Sequence, residues 1–500
     1  MRRRRVGRGR FAPRIVGTGL LAFAAVLGLF GLVALAAGHG GRGFVTTAGL
    51  AALVGGVAWR LGSAEGEPSR REALLSVLLL WIVVPFVGAW PYVIDGGMSF
   101  VDGLFESMSG FTTTGATVLS DFGAFGPELF LWRALSQWVG GVGILVLFIA
   151  VFPQLAIAGR QLFFAEAPGP TEDRMTPRLR NTASAVLIVY VALTLACTLG
   201  YLATGMGPYD AVAHAFTTLA AGGFSPQARS FEGFSAGSQW VAIVFMVFAG
   251  ANFALQFRAL TGRPRLLLRD PEFRTYLGIA ATAGLAVAWL IRDGTGDGLD
   301  ALRHGLFQSL SILTTTGYAS TDFALWSGPA QTVLILLMFV GGSAGSAAGG
   351  IKVVRLMIVA KNTAREVRRA LHPRAVLPVR LGTRTVPEEV LRAVAAFITL
   401  YVALFVAVAA ALALQGADFT TAFTAAIACL GNIGPGFGAV GPMANFADLP
   451  NLSKGVLTFA MYAGRLEVVV VFVIFTADWW RVPRGWRSRA WGWVSGRRPA

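Results

Sequence analysis

The chain is poor in the residues that most catalytic and metal chemistry draws on. Its 500 residues include two cysteines, Cys197 and Cys429, and four histidines, His39, His214, His304 and His372. Two cysteines in apolar runs give no disulfide framework, and the histidines lie at no metal-ligand spacing. Charged residues make up only 14% of the chain, too few for the surface of a soluble protein of this length. No Walker motif and no phosphorylatable aspartate motif occurs, so the chain itself does not use ATP as fuel. A polytopic membrane enzyme would need a nucleophile–base pair or a metal constellation facing one interface. None is visible, so no cofactor is expected and enzymatic activity is the most distant alternative.

What is abundant points elsewhere. Hydrophobic residues are 55% of the chain, glycines number 62, and the mean hydropathy is +0.63. This is the composition of a polytopic membrane protein, in which glycine lets helices approach closely. The net charge of +16 raises the question of nucleic acid, but the basic residues alternate with apolar spans, as the positive-inside rule predicts. The start, "MRRRRVGRGR", has no small-residue cleavage site followed by a soluble domain, so a retained cytoplasmic N-terminus is preferred to a cleaved signal.

A membrane span needs roughly 20 apolar residues. Ten candidates are 14–37, 43–61, 73–94, 127–152, 183–204, 237–258, 273–291, 329–359, 388–414 and 453–477. They return both termini to one side. Basic clusters at Arg2–Arg5, Arg60/Arg70/Arg71, Arg160–Arg180, Arg258–Arg269, Lys361–Arg384 and Arg481–Arg498 all fall on that side. The opposite loops are acidic, with Asp102, Asp210, Asp300 and Asp418 among others, and chiefly Arg229 and Arg303 as bases. Those acids are either ordinary solvated charge or a negative funnel for cations.

Four shorter apolar segments, 101–114, 209–222, 303–316 and 418–432, lie between spans. They predict a helix–short helix–helix unit occurring four times after two extra N-terminal spans. The spacing supports the repeat: Asp102, Asp210, His304 and Thr421 each lie thirteen residues before a glycine, namely Gly115, Gly223, Gly317 and Gly434. The segments end Thr113-Thr114-Gly115, Ala221-Gly222-Gly223, Thr315-Thr316-Gly317 and Asn432-Ile433-Gly434. The first and third are near-copies; the second and fourth share little beyond the glycine. A short helix that enters a membrane and turns back leaves carbonyls unsatisfied, which is tolerated beside a watery cavity. Four such turns around an axis could replace the hydration shell of a monovalent cation.

The stretches "SMSGFTTTGAT", "TTLAAGGFSP", "LTTTGYAST" and "LGNIGPGFG" together resemble the Trk, Ktr and HKT superfamily of potassium transporters, and the two extra spans and the length are closest to its TrkH branch. The resemblance implies an all-α polytopic membrane protein, with two N-terminal helices plus four helix–pore loop–helix repeats in pseudo-fourfold arrangement. The implied parts are residues 1–72 for the N-terminal tail and two helices, 73–160, 161–269, 270–386 and 387–480 for the repeats, and 481–500 for a basic tail. It further implies a potassium-binding filter at Thr113, Thr114, Gly115, Ala221, Gly222, Gly223, Thr315, Thr316, Gly317, Asn432, Ile433 and Gly434. Whether Gly222 or Gly223 is the second filter glycine stays open. In plant relatives a serine at the first glycine accompanies sodium preference, so Gly115 favours potassium, with rubidium and some sodium also passing.

The span 329–359 is interrupted by "GGSAGSAAGGIK", Gly341 to Lys352, in which five of twelve residues are glycine. This is either a close-packing stripe or, by resemblance, an intramembrane gating loop comprising Gly341, Gly342, Ser343, Gly345, Ser346, Gly349 and Gly350, with Lys352 beside it. Arg465 lies about twelve residues into the last span, where a charge is costly and usually faces a polar cavity. The resemblance makes it a gating residue as well, a barrier or a latch on the loop carbonyls. Glu467, two residues on, lies on another helical face and is not expected to pair with it. A proton role for His214 or His304, and interhelical or vestibule roles for Asn252 and Gln256, are weaker possibilities.

The function implied is potassium uptake down the electrochemical gradient, with sodium- or proton-coupled symport as the alternative. The implied setting is the bacterial inner membrane, as a homodimer above a cytosolic TrkA-like ring of nucleotide-binding regulatory subunits. The basic segments 361–384 and 481–498 could meet that partner or anionic membrane lipid equally well. No nucleic-acid partner is expected.

Overall fold

The computed structural model describes residues 11–63, 70–150, 175–476 and Trp479. The basic clusters Arg2–Arg5 and Arg481–Arg498, the 481–500 tail, and the part of Arg160–Arg180 before Met175 lie outside the described residues. The apolar runs are helices, joined by short turns; the one sheet among the described residues is a two-stranded hairpin pairing Arg380–Leu381 with Arg384–Thr385. Both cysteines are buried and free.

Phe11–Ala36 and Arg42–Leu61 form the added pair. They approach to backbone contact, because a Cβ on Gly17 would lie 2.7 Å from the Gly55 carbonyl oxygen. Their aromatic seam docks on the first repeat: Phe23 meets the Phe111 ring at 5.6 Å and Phe44 meets Trp132 at 5.5 Å.

The four repeats follow. Each has an outer helix, a short pore helix and an inner helix. The outer helices are Arg70–Gly88 (continued by Trp90–Ile94), Met175–Ala203, Pro271–Ile291 and Glu388–Leu414. The pore helices are Phe100–Phe111, Pro208–Leu219, Gly298–Leu313 and Phe419–Leu430, matching the four short segments that the spacing predicts. Asp210, Asp297, Asp300, Asp418 and Asp102 all stand at or within the first turn of a pore helix. Asp297 and Asp418 accept backbone N–H bonds as N-caps. These acids therefore satisfy the positive ends of helices, a use that the funnel interpretation did not anticipate.

The inner helices differ from the sequence expectation. Among the described residues, seven helices are long and apolar enough to cross a membrane, or eight if one bent pair is counted as a span, against ten candidates in the sequence. The first inner helix, Pro127–Ala150, is continuous. The second breaks into Ala236–Ala249 and Phe253–Leu260 with a bend of 104°. The third ends at Leu337 and resumes at Val353. The fourth, Asn451–Arg465, turns at Glu467 (φ +68°) before Val468–Val473. The breaks are stabilised by polar partners, some local and some remote in sequence. At the second, Asn252 caps the new helix through Leu255 N–H (2.9 Å), Gln256 donates to the Phe248 carbonyl (2.8 Å), and the Gly250 carbonyl turns outward to accept from Ser343 N–H (2.8 Å). A hydropathy window cannot register bonds supplied from about a hundred residues away.

Outer and pore helices of the third repeat touch through glycines. A Cβ on Gly305 would lie 2.6 Å from the Gly284 carbonyl oxygen and 2.7 Å from Ala288 N. Gly305→Ala should cost about 1–3 kcal/mol and lower the melting temperature of the purified protein. Gly278→Ala, with nothing within 4 Å of the new Cβ, should not lower it.

Candidate ion pathway

The four pore helices end in the same way despite their different sequences. The residue after the helix cap has positive φ: Thr113 at 51°, Ala221 at 53°, Thr315 at 56° and Asn432 at 55°. The next residue donates its N–H five residues back: Thr114 to Ser109, Gly222 to Thr217, Thr316 to Ser311 and Ile433 to Ala428, at 2.8–2.9 Å. The positive-φ residue donates three back, as Thr113 does to Gly110 (2.9 Å) and Asn432 to Cys429 (3.2 Å). This pairing is the Schellman motif, usually closed by glycine. Here threonine, alanine and asparagine hold the left-handed conformation, because the surrounding packing over-determines it.

Two residues on, φ is positive again, at Gly115 (83°), Gly223 (78°), Gly317 (80°) and Gly434 (104°). It is therefore Gly223, and not Gly222, that shares the conformation of the other three. Alternation of left-handed and ordinary residues departs from the regular extended backbone of a strand.

Contacts between the loops close a ring. A Cβ on Gly115 would strike the Gly222 carbonyl oxygen, one on Gly223 the Thr316 oxygen, and one on Gly317 the Ile433 oxygen. One on Gly434 would lie 2.7 Å from the Thr114 oxygen. Each glycine thus abuts the carbonyl preceding the glycine of the next repeat, and the fourth returns to the first. All twelve residues of the sequence-derived set lie in the four loops of this ring, each loop directly following the C-terminal end of a pore helix, which carries partial negative charge.

Side chains hold the ring from behind. Gln137 donates to the Gly222 carbonyl (2.6 Å) and accepts from Phe224 N–H (3.1 Å). Tyr318 hydroxyl bonds Thr218 Oγ1 and the His214 carbonyl, each at 3.0 Å, and also Thr217. Asn432 Nδ2 donates to Thr114 Oγ1 (3.0 Å) across the junction of the fourth and first repeats. His214 bonds Ser225 Oγ (3.0 Å) and His304 bonds Ser320 Oγ (2.8 Å). Both histidines brace the limb that leaves the ring, which assigns them a packing role.

One brace escaped the sequence reading. Glu106 and Arg133 are buried and paired at 2.7 Å. Glu106 also accepts from Thr117 Oγ1 and Val118 N–H, both at 3.0 Å. Arg133 donates to the Ser225 carbonyl (3.1 Å) and lies 4.0 Å from the Phe224 ring centroid. The pair ties the limbs leaving Gly115 and Gly223 to each other. A glutamate and an arginine within apolar helices were the available signal. Lys454, equally unforeseen, pairs with Asp102 at 2.6 Å.

Between Leu337 and Val353 the chain forms a loop whose neck is closed by Gly341 N–H on the Ile351 carbonyl (2.8 Å) and Val353 N–H on the Gly342 carbonyl (3.2 Å). Gly345 and Gly350 take positive φ, 74° and 63°. Ser346 Oγ donates to the Ser343 carbonyl (2.7 Å). The loop tip reaches the ring: Gly349 N–H donates to Thr315 Oγ1 at 2.7 Å, and its Cα faces Gly431 and Asn432. Lys352 is buried, with Nζ on the Ala348 and Gly349 carbonyls. Arg465, 3% exposed, donates Nη1 to the Ala347 carbonyl (2.8 Å), while its Nε and Nη2 have no partner among the described residues. Glu467 pairs instead with Arg355. All nine sequence-derived gating residues therefore belong to one assembly beneath the ring.

Removing one partner of a buried ion pair strands the other charge, at a cost of about 3–5 kcal/mol. Arg133→Met should therefore lower the melting temperature of the purified protein markedly, and adding Glu106→Gln should recover part of that loss.

The chain matches the family described as Cation transport protein, TrkH, over residues 42–283 and 297–480. It is 38% identical over 484 residues to the Trk system potassium uptake protein TrkH of Salmonella typhimurium, covering 94% of this chain and 99% of that one. It is 35% identical over 437 residues to TrkG of Escherichia coli, covering 86% of this chain and 89% of that protein. The crystal structure of the potassium transporter TrkH from Vibrio parahaemolyticus superposes with a TM-score of 0.85 at 35% identity, over 94% of this chain and 99% of that chain. A ring of four matched turns at the centre of a polytopic helical membrane protein, and similarity over nearly its full length, place this chain in the TrkH family of cation transporters, which are not enzymes.

Proposed function

We propose that the chain is a potassium uptake channel or permease, conducting K+, and also Rb+ and some Na+, through the four-loop ring. The observation that carries this reading is the cyclic abutment of Gly115, Gly223, Gly317 and Gly434 on neighbouring carbonyls. Such a ring offers oxygen dipoles in place of water to a dehydrated monovalent cation. The relatives' names, Trk system potassium uptake proteins, support potassium as the ion. The inside-negative membrane potential would drive entry by about 2.3 kcal/mol per charge for each 100 mV.

In this reading the loop from Gly341 to Gly350 is the gate, with Lys352 and Arg465 fixing its carbonyls. Arg465 also adds a positive barrier. The protein sits in the bacterial inner membrane with both termini cytoplasmic, divides as residues 1–72, 73–160, 161–269, 270–386, 387–480 and 481–500, and works as a homodimer with a cytosolic TrkA-like nucleotide-binding subunit, its basic segments facing that partner or lipid.

Tracer flux into vesicles containing the purified protein tests both parts. In Gly115→Ser the new Cβ meets the Gly222 carbonyl, so rubidium flux should fall about tenfold for each 1.4 kcal/mol added to the barrier, with the sodium-to-rubidium ratio rising. Flux of neither ion through the wild type, with or without a regulatory partner, would overturn the reading. Arg465→Ala should raise the resting rubidium leak; normal expression with unchanged leak would remove Arg465 from the gate.

A further inference from the structure

The loop beneath the ring is held from a direction that neither Lys352 nor Arg465 accounts for. Its Ala344 peptide is gripped on both sides. The Ala344 N–H donates to Glu272 Oε1 at 2.7 Å, and the Ala344 carbonyl accepts from Asn252 Nδ2 at 2.8 Å. The same Glu272 oxygen also accepts the Val354 N–H at 3.1 Å. One carboxylate oxygen thus ties an early residue of the loop to the first turn of the helix that follows it. Next along the loop, the Gly345 carbonyl accepts from Phe253 N–H at 3.1 Å.

These partners share a place in the chain. Asn252 caps the helix Phe253–Leu260, and Glu272 stands in the first turn of the helix Pro271–Ile291. Between them runs a single connector, which includes the short helix Pro264–Arg269 and is exposed from Leu260 to Arg265. The two ends of one surface segment therefore converge on one peptide of the loop.

We propose that Glu272 and Asn252 are positioning residues of the gate, through which the connector 253–271 holds the loop in its place under the ring. The inference rests on the reading of Gly341–Gly350 as the gate. For the loop to move away, the Ala344 peptide must leave both side chains, and Val354 must leave Glu272 or carry it along. A hydrogen bond to a charged group contributes more than a neutral one, so the carboxylate is the stronger of the two holds.

The test uses the full chain in vesicles, with two readouts. One is resting rubidium flux. The other is the rate at which a Ser346→Cys reporter reacts with a charged, membrane-impermeant thiol reagent; the native Cys197 and Cys429 are buried. Three variants are compared in this background. Glu272→Ala removes the acceptor. Glu272→Gln keeps an acceptor without the charge. Asn252→Asp keeps the cap oxygen for Leu255 N–H and loses the donor to Ala344, which guards against simple unfolding. Asn252→Asp should raise flux and labelling about tenfold, the equivalent of one such bond, Glu272→Ala should raise them at least as much, and Glu272→Gln should raise them less than Glu272→Ala. A loop variant, Gly345→Ala with Gly350→Ala, runs alongside as the check on the gate itself.

If the loop variant alters flux while the three connector variants stay within about twofold, the range of an ordinary surface change, the inference is overturned and the gate stands. If the loop variant is also silent, the gate reading fails and this inference with it. Raised flux without faster labelling would mean a leak that bypasses the loop, and would overturn the inference too. Should Glu272→Ala fail to express, Asn252→Asp decides the question.

Discussion

Everything in this molecule is arranged around a contact that permits no side chain. Four glycines stand against the carbonyl oxygens of the neighbouring repeat, and the sequence of contacts closes on itself. Two constraints meet at each position: a left-handed backbone, which glycine adopts freely, and a gap too small for a methyl group. The pore helices, their Schellman ends and the polar braces all serve to keep those carbonyls in place without water. Turned-back peptide groups at membrane depth are costly unless they line a cavity, so the geometry of the ring and its chemistry are one problem.

The repeat was legible because its signal is a distance along the chain. Thirteen residues from a position within the pore helix to a glycine recur four times, and the four pore helices appear where that spacing puts them. The spacing also favours Gly223 over Gly222, and the backbone agrees. What could not be read at Ala221 and Asn432 is their left-handed conformation. Alanine does not favour it, though asparagine tolerates it, and it is supported by contacts such as the Gln137 bond to Gly222 and the Asn432 bond to Thr114.

Two of the three broken inner helices, the second and the fourth, were read as straight spans for a related reason, while the glycines of Gly341–Gly350 announced the break in the third. Apolarity does not report where a carbonyl finds its partner. Gly250 offers its oxygen to Ser343 rather than to its own helix, and nothing local announces that exchange. The Glu106–Arg133 pair was within reach: two charges inside apolar helices, on opposite sides of the first loop, are rare enough to demand a partner. The acids of the loops were read as solvated charge or as a field; Asp297 and Asp418 are helix caps and Asp102, Asp210 and Asp300 first-turn residues, a difference that position relative to each helix start decides.

The bond from Gly349 to Thr315 Oγ1 ties the lower loop to one quarter of the ring, while Gly349 also packs against Gly431 and Asn432 of another. In an assembly of four identical chains a substitution would be felt four times, and a costly residue would be multiplied accordingly. A single chain that supplies all four quarters feels each change once. That relaxes the demand on every position. It allows threonine, alanine, threonine and asparagine to occupy the same strained place, and it frees one threonine to bond the loop below while another serves the fourth repeat. Inequality among the quarters is in this sense the freedom gained when a ring is encoded once rather than assembled from copies.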